Sequence, residues 1–270
     1  IVGTAIAVKI FNYKDKVEIN GNISYDDIFL KDSPIKELKN VSYEGYITRN
    51  DFDEYLLIVA DGMGGHTGGE IASNIVVNKI GKRFEQISKI GSKEDTINWI
   101  KEIVGEANAA IYKYTSENPG SEGMGTTLVL ALYTKDFLLF GNIGDSSGYV
   151  LKNKRLHKIT TDHTLVNLLV RSGELSEEEA KNHPRKNVLM RALGADKKVE
   201  MDIFDVEDNV EGIFLCSDGL TNMLSEEAIE KVLDEHKTIE EKLQKLISKS
   251  NNRGGTDNIT VAFLDMRGGK

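Results

Sequence analysis

Asp61, Asp218 and Asp257 each stand at one end of an apolar run, beside a glycine or an asparagine. Asp61-Gly62 follows Tyr55-Leu56-Leu57-Ile58-Val59-Ala60, and Asp218-Gly219 follows Gly212-Ile213-Phe214-Leu215-Cys216-Ser217. Asp257 lies in Gly254-Gly255-Thr256-Asp257-Asn258, just ahead of Ile259-Thr260-Val261-Ala262-Phe263. Desolvating an unpaired carboxylate at the end of a buried strand is costly. A fold that gathers three of them needs cations to offset their repulsion. Carboxylate oxygens are hard ligands, which selects Mg²⁺ or Mn²⁺. The chemistry these residues point to is a metal-dependent reaction.

The turn Asp61-Gly62-Met63-Gly64-Gly65-His66 carries the most specific pattern. Its glycines permit a sharp turn and leave the Gly62 carbonyl open to an ion. The competing reading is a strand-to-helix turn whose acid caps the helix. Gly144-Asp145-Ser146-Ser147-Gly148 follows another apolar strand and offers Asp145 either as a further ligand or as a solvated turn residue. The same five residues match the G-x-S-x-G elbow of serine hydrolases, with Ser146 as nucleophile. That elbow must pass from strand into helix, whereas Tyr149-Val150-Leu151 continues as a strand, and no HGGG-type segment is present. Cys216 lacks the nearby arginine that cysteine-dependent phosphatase chemistry requires, so it reads as a small buried hydrophobe. None of the five histidines has the i, i+4 pairing of a zinc helix. His66 beside the proposed metal turn is open to leaving-group protonation or to a structural hydrogen bond. Gly123-Met124-Gly125-Thr126-Thr127 and Thr161-Asp162-His163-Thr164-Leu165 read as supporting turns without a direct chemical role.

These residues need a scaffold, and the chain is long enough to bury a substantial core: 270 residues, 40% hydrophobic and 29% charged. The formal charge of −9 and the lack of a basic cluster disfavour a nucleic-acid surface. The single cysteine excludes an internal disulfide and suits a reducing, cytoplasmic setting. No apolar run approaches a membrane span, and no signal peptide is seen. The chain begins at Ile1 and not at methionine, which gives the expectation of a trimmed catalytic fragment. From Val2 to Tyr46 strand-like alternation is broken by Asn20-Gly21 and Asp32–Pro34. Helical periodicity follows over Glu70–Ile87 and Lys93–Tyr114, the latter with Ile97, Ile100, Ile103 and Val104 on one face. Short strands run from Gly125 to Ile159, a polar helical insert covers Thr164–Asn182, and strands resume near Val199. Helices over Ser225–Glu235 and Thr238–Ser248 precede the last strand, with Ser225 as an N-cap. Blocks of strands with helix pairs between them predict an α+β sandwich.

Taken together and in order, the motifs resemble the PPM family, the metal-dependent type 2C Ser/Thr protein phosphatases, in their bacterial style. The matching stretches are DGMGGHTGGEIAS (61–73), GMGTTLV (123–129), NIGDSSGYVL (142–151), TTDHTLV (161–167), RALG (191–194), LCSDGLTNML (215–224) and GGTDNITV (254–261). The resemblance implies a β-sandwich of two antiparallel sheets flanked by pairs of α-helices, a four-layer αββα arrangement. It implies one catalytic domain over residues 1–270, with a small flap at about 164–190. Carried over residue by residue, Asp61 would bridge two Mn²⁺ or Mg²⁺ ions. Asp218 and Asp257 would complete the first ion's protein ligands, and the Gly62 carbonyl would serve the second. Asp145 with Asp218 would hold a third ion. Asp26 would be a further ligand, and Asp27 would orient the metal-bound waters. The implied reaction is hydrolysis of phosphoserine or phosphothreonine by attack of a metal-bridging hydroxide on phosphorus, with the ions roughly 3.5–4 Å apart. The implied partners are a phosphorylated protein and a cognate Ser/Thr kinase, with the chain a monomer.

The chain departs from the pattern at three places. Asn22 stands where the family carries a phosphate-gripping arginine, and asparagine offers no charged bidentate fork. Ser147 replaces a second arginine, and Met63 stands where eukaryotic relatives often carry histidine. These departures keep a second reading in play, a non-catalytic relative that binds phosphoproteins.

Overall fold

A computed structural model of the chain describes residues 5–7, 45–49, 54–64, 66–87, 89–206 and 210–267. Asn22, Asp26 and Asp27 lie outside the described residues. The central strands, such as Tyr55–Val59 and Gly212–Cys216, are built from runs that are apolar on both faces, because the sheets are covered there on both sides. The first sheet has the order β10-β7-β6-β3-β2 and is antiparallel throughout. Its strands are β2 (Gly45–Arg49), β3 (Tyr55–Val59), β6 (Leu128–Tyr133), β7 (Leu138–Ile143) and β10 (Asp202–Val206). The second has the order β1-β12-β11-β8-β9, from β1 (Ala5–Ala7), β8 (Ser147–Lys152), β9 (Arg155–Lys158), β11 (Gly212–Cys216) and β12 (Ile259–Asp265). The other pairs of this sheet are antiparallel, as expected, and the short β1 adds itself parallel to β12 at its edge. A two-residue pair, β4 (Gly62–Met63) with β5 (Gly125–Thr126), forms a small third sheet.

Period-two alternation along the strands divides the core into three layers. Tyr55, Leu57, Val59, Val129 and Phe140 of the first sheet meet Val150, Ile213, Leu215, Ala262 and Leu264 of the second. The intervening residues Leu56, Ile58, Leu130 and Leu139 face outward against α1 (His66–Glu85) and α2 (Lys93–Glu117). On the other side Tyr149, Phe214, Cys216 and Phe263 pack against α5 (Asp218–Thr221), α6 (Glu226–Leu233) and α7 (Ile239–Asn252). The result is the four-layer αββα sandwich.

Helix boundaries follow their caps. Ser92 accepts from the Asp95 amide at the start of α2, Ser225 from Ala228 at α6, and Thr238 forms a capping box with Glu241 at α7. Helix α1 begins at His66, four residues before the periodicity predicts, and includes Gly68 and Gly69. The single helical insert expected over Thr164–Asn182 is two short helices, α3 (Leu165–Arg171) and α4 (Glu177–Lys181). Gly173, at φ +79°, turns the chain out of the first, and Ser176 with Glu179 restarts it with a capping box. No described helix is long and apolar enough to cross a membrane.

Phe214 is fully buried between Tyr149 and Phe263, with ring centroids 6.2 and 5.9 Å away in edge-on arrangement. Phe214→Ala is expected to destabilise the fold by about 3–5 kcal/mol. Urea unfolding measures it, and a loss below about 1 kcal/mol would contradict this packing.

Candidate active site

The topology delivers the acidic residues to one edge of the sandwich. Strands β3 and β7 are both antiparallel to β6 between them, so both end on the same side. In the other sheet Cys216 pairs with Ser147 and with Val261, so β11 ends where β8 and β12 begin. The two sheets are joined at this edge by a buried hydroxyl pair, Thr127 Oγ1 to Ser146 Oγ at 2.7 Å.

Asp61 is set by its backbone. Its N–H donates to Thr127 Oγ1 at 2.9 Å, and its carbonyl accepts from the Thr127 amide at 2.9 Å and the Thr126 hydroxyl at 3.0 Å. Gly62 follows, packed so closely on helix α1 that an added Cβ would lie 2.1 Å from the Gly69 oxygen. Only glycine admits this approach, which holds the Asp61-Gly62 turn against the first turn of α1.

Asp218 is the first residue of α5 and not the last of the strand. Ser217 pins that junction: its hydroxyl accepts from the Thr260 amide at 3.0 Å and donates to the Asn258 carbonyl at 3.1 Å. Behind Asp218, a Cβ on Gly219 would fall 2.0 Å from the Asn258 oxygen, so glycine again sets the distance between segments. This brings Asp218 toward Asp257, an exposed residue whose carboxylate accepts from the Asn258 amide at 2.9 Å. Asn222 Nδ2 donates to Asp218 Oδ2 at 3.0 Å. Asp145 occupies the β7–β8 turn after Gly144, whose φ is +99°.

The electrostatics record the crowding. Burial, then the neighbouring charges of Asp218 and Asp162, push the Asp145 carboxyl up to about 7. Asp218 is also raised, first by burial and then by Asp257, while hydrogen bonds with Asp61 and Asn222 act in the opposite sense. Lys158 lowers Asp145 only weakly, since its ammonium is engaged with both Asp162 oxygens at 2.8 Å. Buried like charges without a compensating cation are what a bound divalent ion relieves, and every donor here is an oxygen. The donor chemistry therefore fits a hard divalent ion. Among the described residues no three His, Cys, Asp or Glu side chains come close enough to hold an ion by themselves. What converges is an edge of carboxylates whose charges act on one another, Asp145 with Asp218 and Asp218 with Asp61 and Asp257.

The rival nucleophiles are sealed away. Ser146 is fully buried against Thr127, and residue 147 already begins β8, so the strand-to-helix elbow is absent. Cys216 is fully buried, and that burial pushes its thiol far up. Gly65 and the His66 side chain lie outside the described residues. Sequence reasoning missed the roles of Thr126 and Thr127 in fixing Asp61, and of His163, which contacts Gly144. The signal was a pair of threonines directly before an apolar strand, where side-chain oxygens compete for nearby backbone groups.

Comparison with known proteins adds an independent line. The sequence profile described as Protein phosphatase 2C matches residues 46–253. The serine/threonine phosphatase stp of Listeria welshimeri is 41% identical over 222 residues, 82% of this chain and 88% of that protein. Protein phosphatase PhpP of Streptococcus pneumoniae is 33% identical over 242 residues, 88% and 96% of the two chains. The crystal structure of Stp1 from Staphylococcus aureus superposes with a TM-score of 0.76 at 34% identity, covering 82% of this chain and 87% of that one.

The Asp145 shift has a consequence for the metal-free chain. An unfolded aspartate titrates near 3.9, so below about pH 4 Asp145 is protonated in both states. Between there and about 7 the unfolded state releases a proton that the fold retains, so stability contributed by the protonated form is lost as pH rises. In EDTA, Asp145→Asn should raise the melting temperature at about pH 8 and shrink the difference from about pH 5. Thermal melts of the two proteins at both pH values read this, and parallel curves would contradict it.

Proposed function

Since the chain belongs to the protein phosphatase 2C family, we propose that it hydrolyses phosphoserine and phosphothreonine in proteins, using Mn²⁺ or Mg²⁺. The carboxylates of Asp61, Asp218 and Asp257 and the carbonyl of Gly62 would hold two ions, and Asp145 with Asp218 a third. The observation that carries this reading is the raised pair of carboxyls at one sandwich edge, Asp145 pushed up by burial and then by Asp218, and Asp218 by burial and then by Asp257. Bound there, such ions would neutralise phosphate charge and acidify water.

The chain's own groups do the positioning. Thr126 and Thr127 hold Asp61 by its backbone, Ser217 and Gly219 hold Asp218 against the Asn258 segment, and Asn222 orients one Asp218 oxygen. Water attacks phosphorus in line, the serine or threonine alkoxide leaves, and a proton restores the hydroxyl. Because Ser146 and Cys216 are buried, neither supplies a covalent intermediate. Catalysis of this kind rests on positioning and electrostatics. Asp26 is kept as a further ligand and Asp27 as the group that orients water. Phosphate is gripped without the usual arginine at position 22.

The same reading takes residues 1–270 as one catalytic domain with a flap at about 164–190. It also takes the chain as a cytoplasmic monomer that opposes a Ser/Thr kinase. The alternative, a non-catalytic phosphoprotein-binding relative, is disfavoured because Asp61, Asp145, Asp218 and Asp257 are all present.

Hydrolysis of p-nitrophenyl phosphate, with and without Mn²⁺, decides between the two. Turnover should require the ion, stop with EDTA, and fall by at least about 100-fold in Asp218→Asn. Near-normal turnover in that variant, or none in the parent chain with any divalent ion, would defeat the enzyme reading.

A further inference from the structure

The turn that carries Asp145 is held by a residue from a distant loop. Gly144 cannot be fixed through a side chain of its own, since a Cβ there would lie 2.7 Å from Thr127 Cβ. Its two backbone groups instead both end on His163. The Gly144 N–H donates to His163 Nδ1 at 3.1 Å, and the His163 N–H donates to the Gly144 carbonyl at 2.8 Å. Asn142 Nδ2 adds a bond to the same carbonyl at 3.2 Å while also reaching the Thr161 carbonyl at 2.8 Å.

With Nδ1 accepting, the ring's proton sits on Nε2, which faces Asp202 Oδ2 at 3.2 Å. Asp202 is anchored in turn by Arg191 Nη1 at 2.6 Å, and Arg191 also donates to the Glu200 carbonyl at 3.1 Å. The imidazole is only 9% exposed, and burial holds it below its usual range, in the neutral form this geometry uses. The same residue gathers both roots of the 164–190 segment. Thr164 follows it directly as the N-cap of α3, and the Met190 amide donates to the His163 carbonyl at 2.8 Å, one residue before Arg191.

We propose that His163 is the positioning residue for Asp145, fixing the Gly144-Asp145 turn through Nδ1 and coupling it to both roots of the 164–190 segment. This rests on the reading of Asp145 as an ion ligand. A merely structural histidine would stabilise the fold without a selective effect on the ion that Asp145 binds.

The test is Mn²⁺ titration by calorimetry on the parent chain and on His163→Leu, His163→Asn and Asp145→Asn, with melts in EDTA to verify folding. Asparagine places a carboxamide oxygen near the Nδ1 position, whereas leucine offers no acceptor. His163→Leu should weaken the Asp145-dependent ion about tenfold or more, and His163→Asn should stay within a few-fold of the parent, as second-layer partners of metal ligands do. In an Asp145→Asn background His163→Leu should add no further loss, because the two act as a unit. Parent-like binding by His163→Leu, or an undiminished effect in the Asp145→Asn background, would overturn the proposal. If His163→Leu does not fold, His163→Asn against His163→Gln makes the same comparison, since glutamine extends past the Nδ1 position. A parent chain that binds no Mn²⁺ defeats the functional reading and this proposal together. A parent that binds normally while Asp145→Asn loses nothing removes the ligand role of Asp145 and overturns this proposal, while the functional reading stands.

Discussion

Repulsion among carboxylates at one edge of the sandwich is the constraint around which this structure is organised. Asp145 and Asp218 are each raised by burial and by a neighbouring acid, so the folded chain holds charges that water would otherwise keep apart. What holds them there is the three-layered apolar core, in which β3, β6, β7, β11 and β12 are buried on both faces. Strand ends anchored in such a core cannot swing away to relieve local repulsion, because moving them would disturb close packing on both sides. The rigidity of the sheets thus becomes the electrostatic potential of the site.

Close backbone approach is the second means of holding the edge together. Gly62 against Gly69, Gly219 against Asn258 and Gly144 against Thr127 all lie at separations that a Cβ would fill. Each places a segment carrying an acid nearer to a neighbour than any other residue type would permit. Hydroxyls take over where glycine stops. Thr127 bonds both the Asp61 backbone after β3 and Ser146 just ahead of β8, and Ser217 ties α5 to the start of β12. The acids would provide the ligands, and small residues set the distances between them.

The alternation of Tyr55–Val59 and Gly212–Cys216 and the period of Lys93–Tyr114 are local signals, so the sandwich and its helix pairs were legible before any coordinates. Asp61, Asp145, Asp218 and Asp257 were legible for the same reason, being bare acids beside glycine or asparagine at strand ends. Two things were not. The parallel pairing of β1 with β12 joins residues far apart in sequence, and nothing local encodes it. The roles of Thr127 and His163 are likewise relational: each acts on a backbone group of another segment, so residue type alone carries no mark of it. The split of the insert at Gly173 was in principle visible, since Gly173 and the Ser176/Glu179 capping box are both local.

Cys216 lies two residues before Asp218, yet its side chain points into the packed layer between β11 and α5–α7. Oxidants attack the thiolate, and this sulfur is both unexposed and held protonated. It is also the only cysteine in the chain. The acidic edge proposed as the site offers oxygen donors, and the one sulfhydryl of the sequence is walled off from it. Peroxide would reach this sulfur only through an opening of the packed layer that buries it.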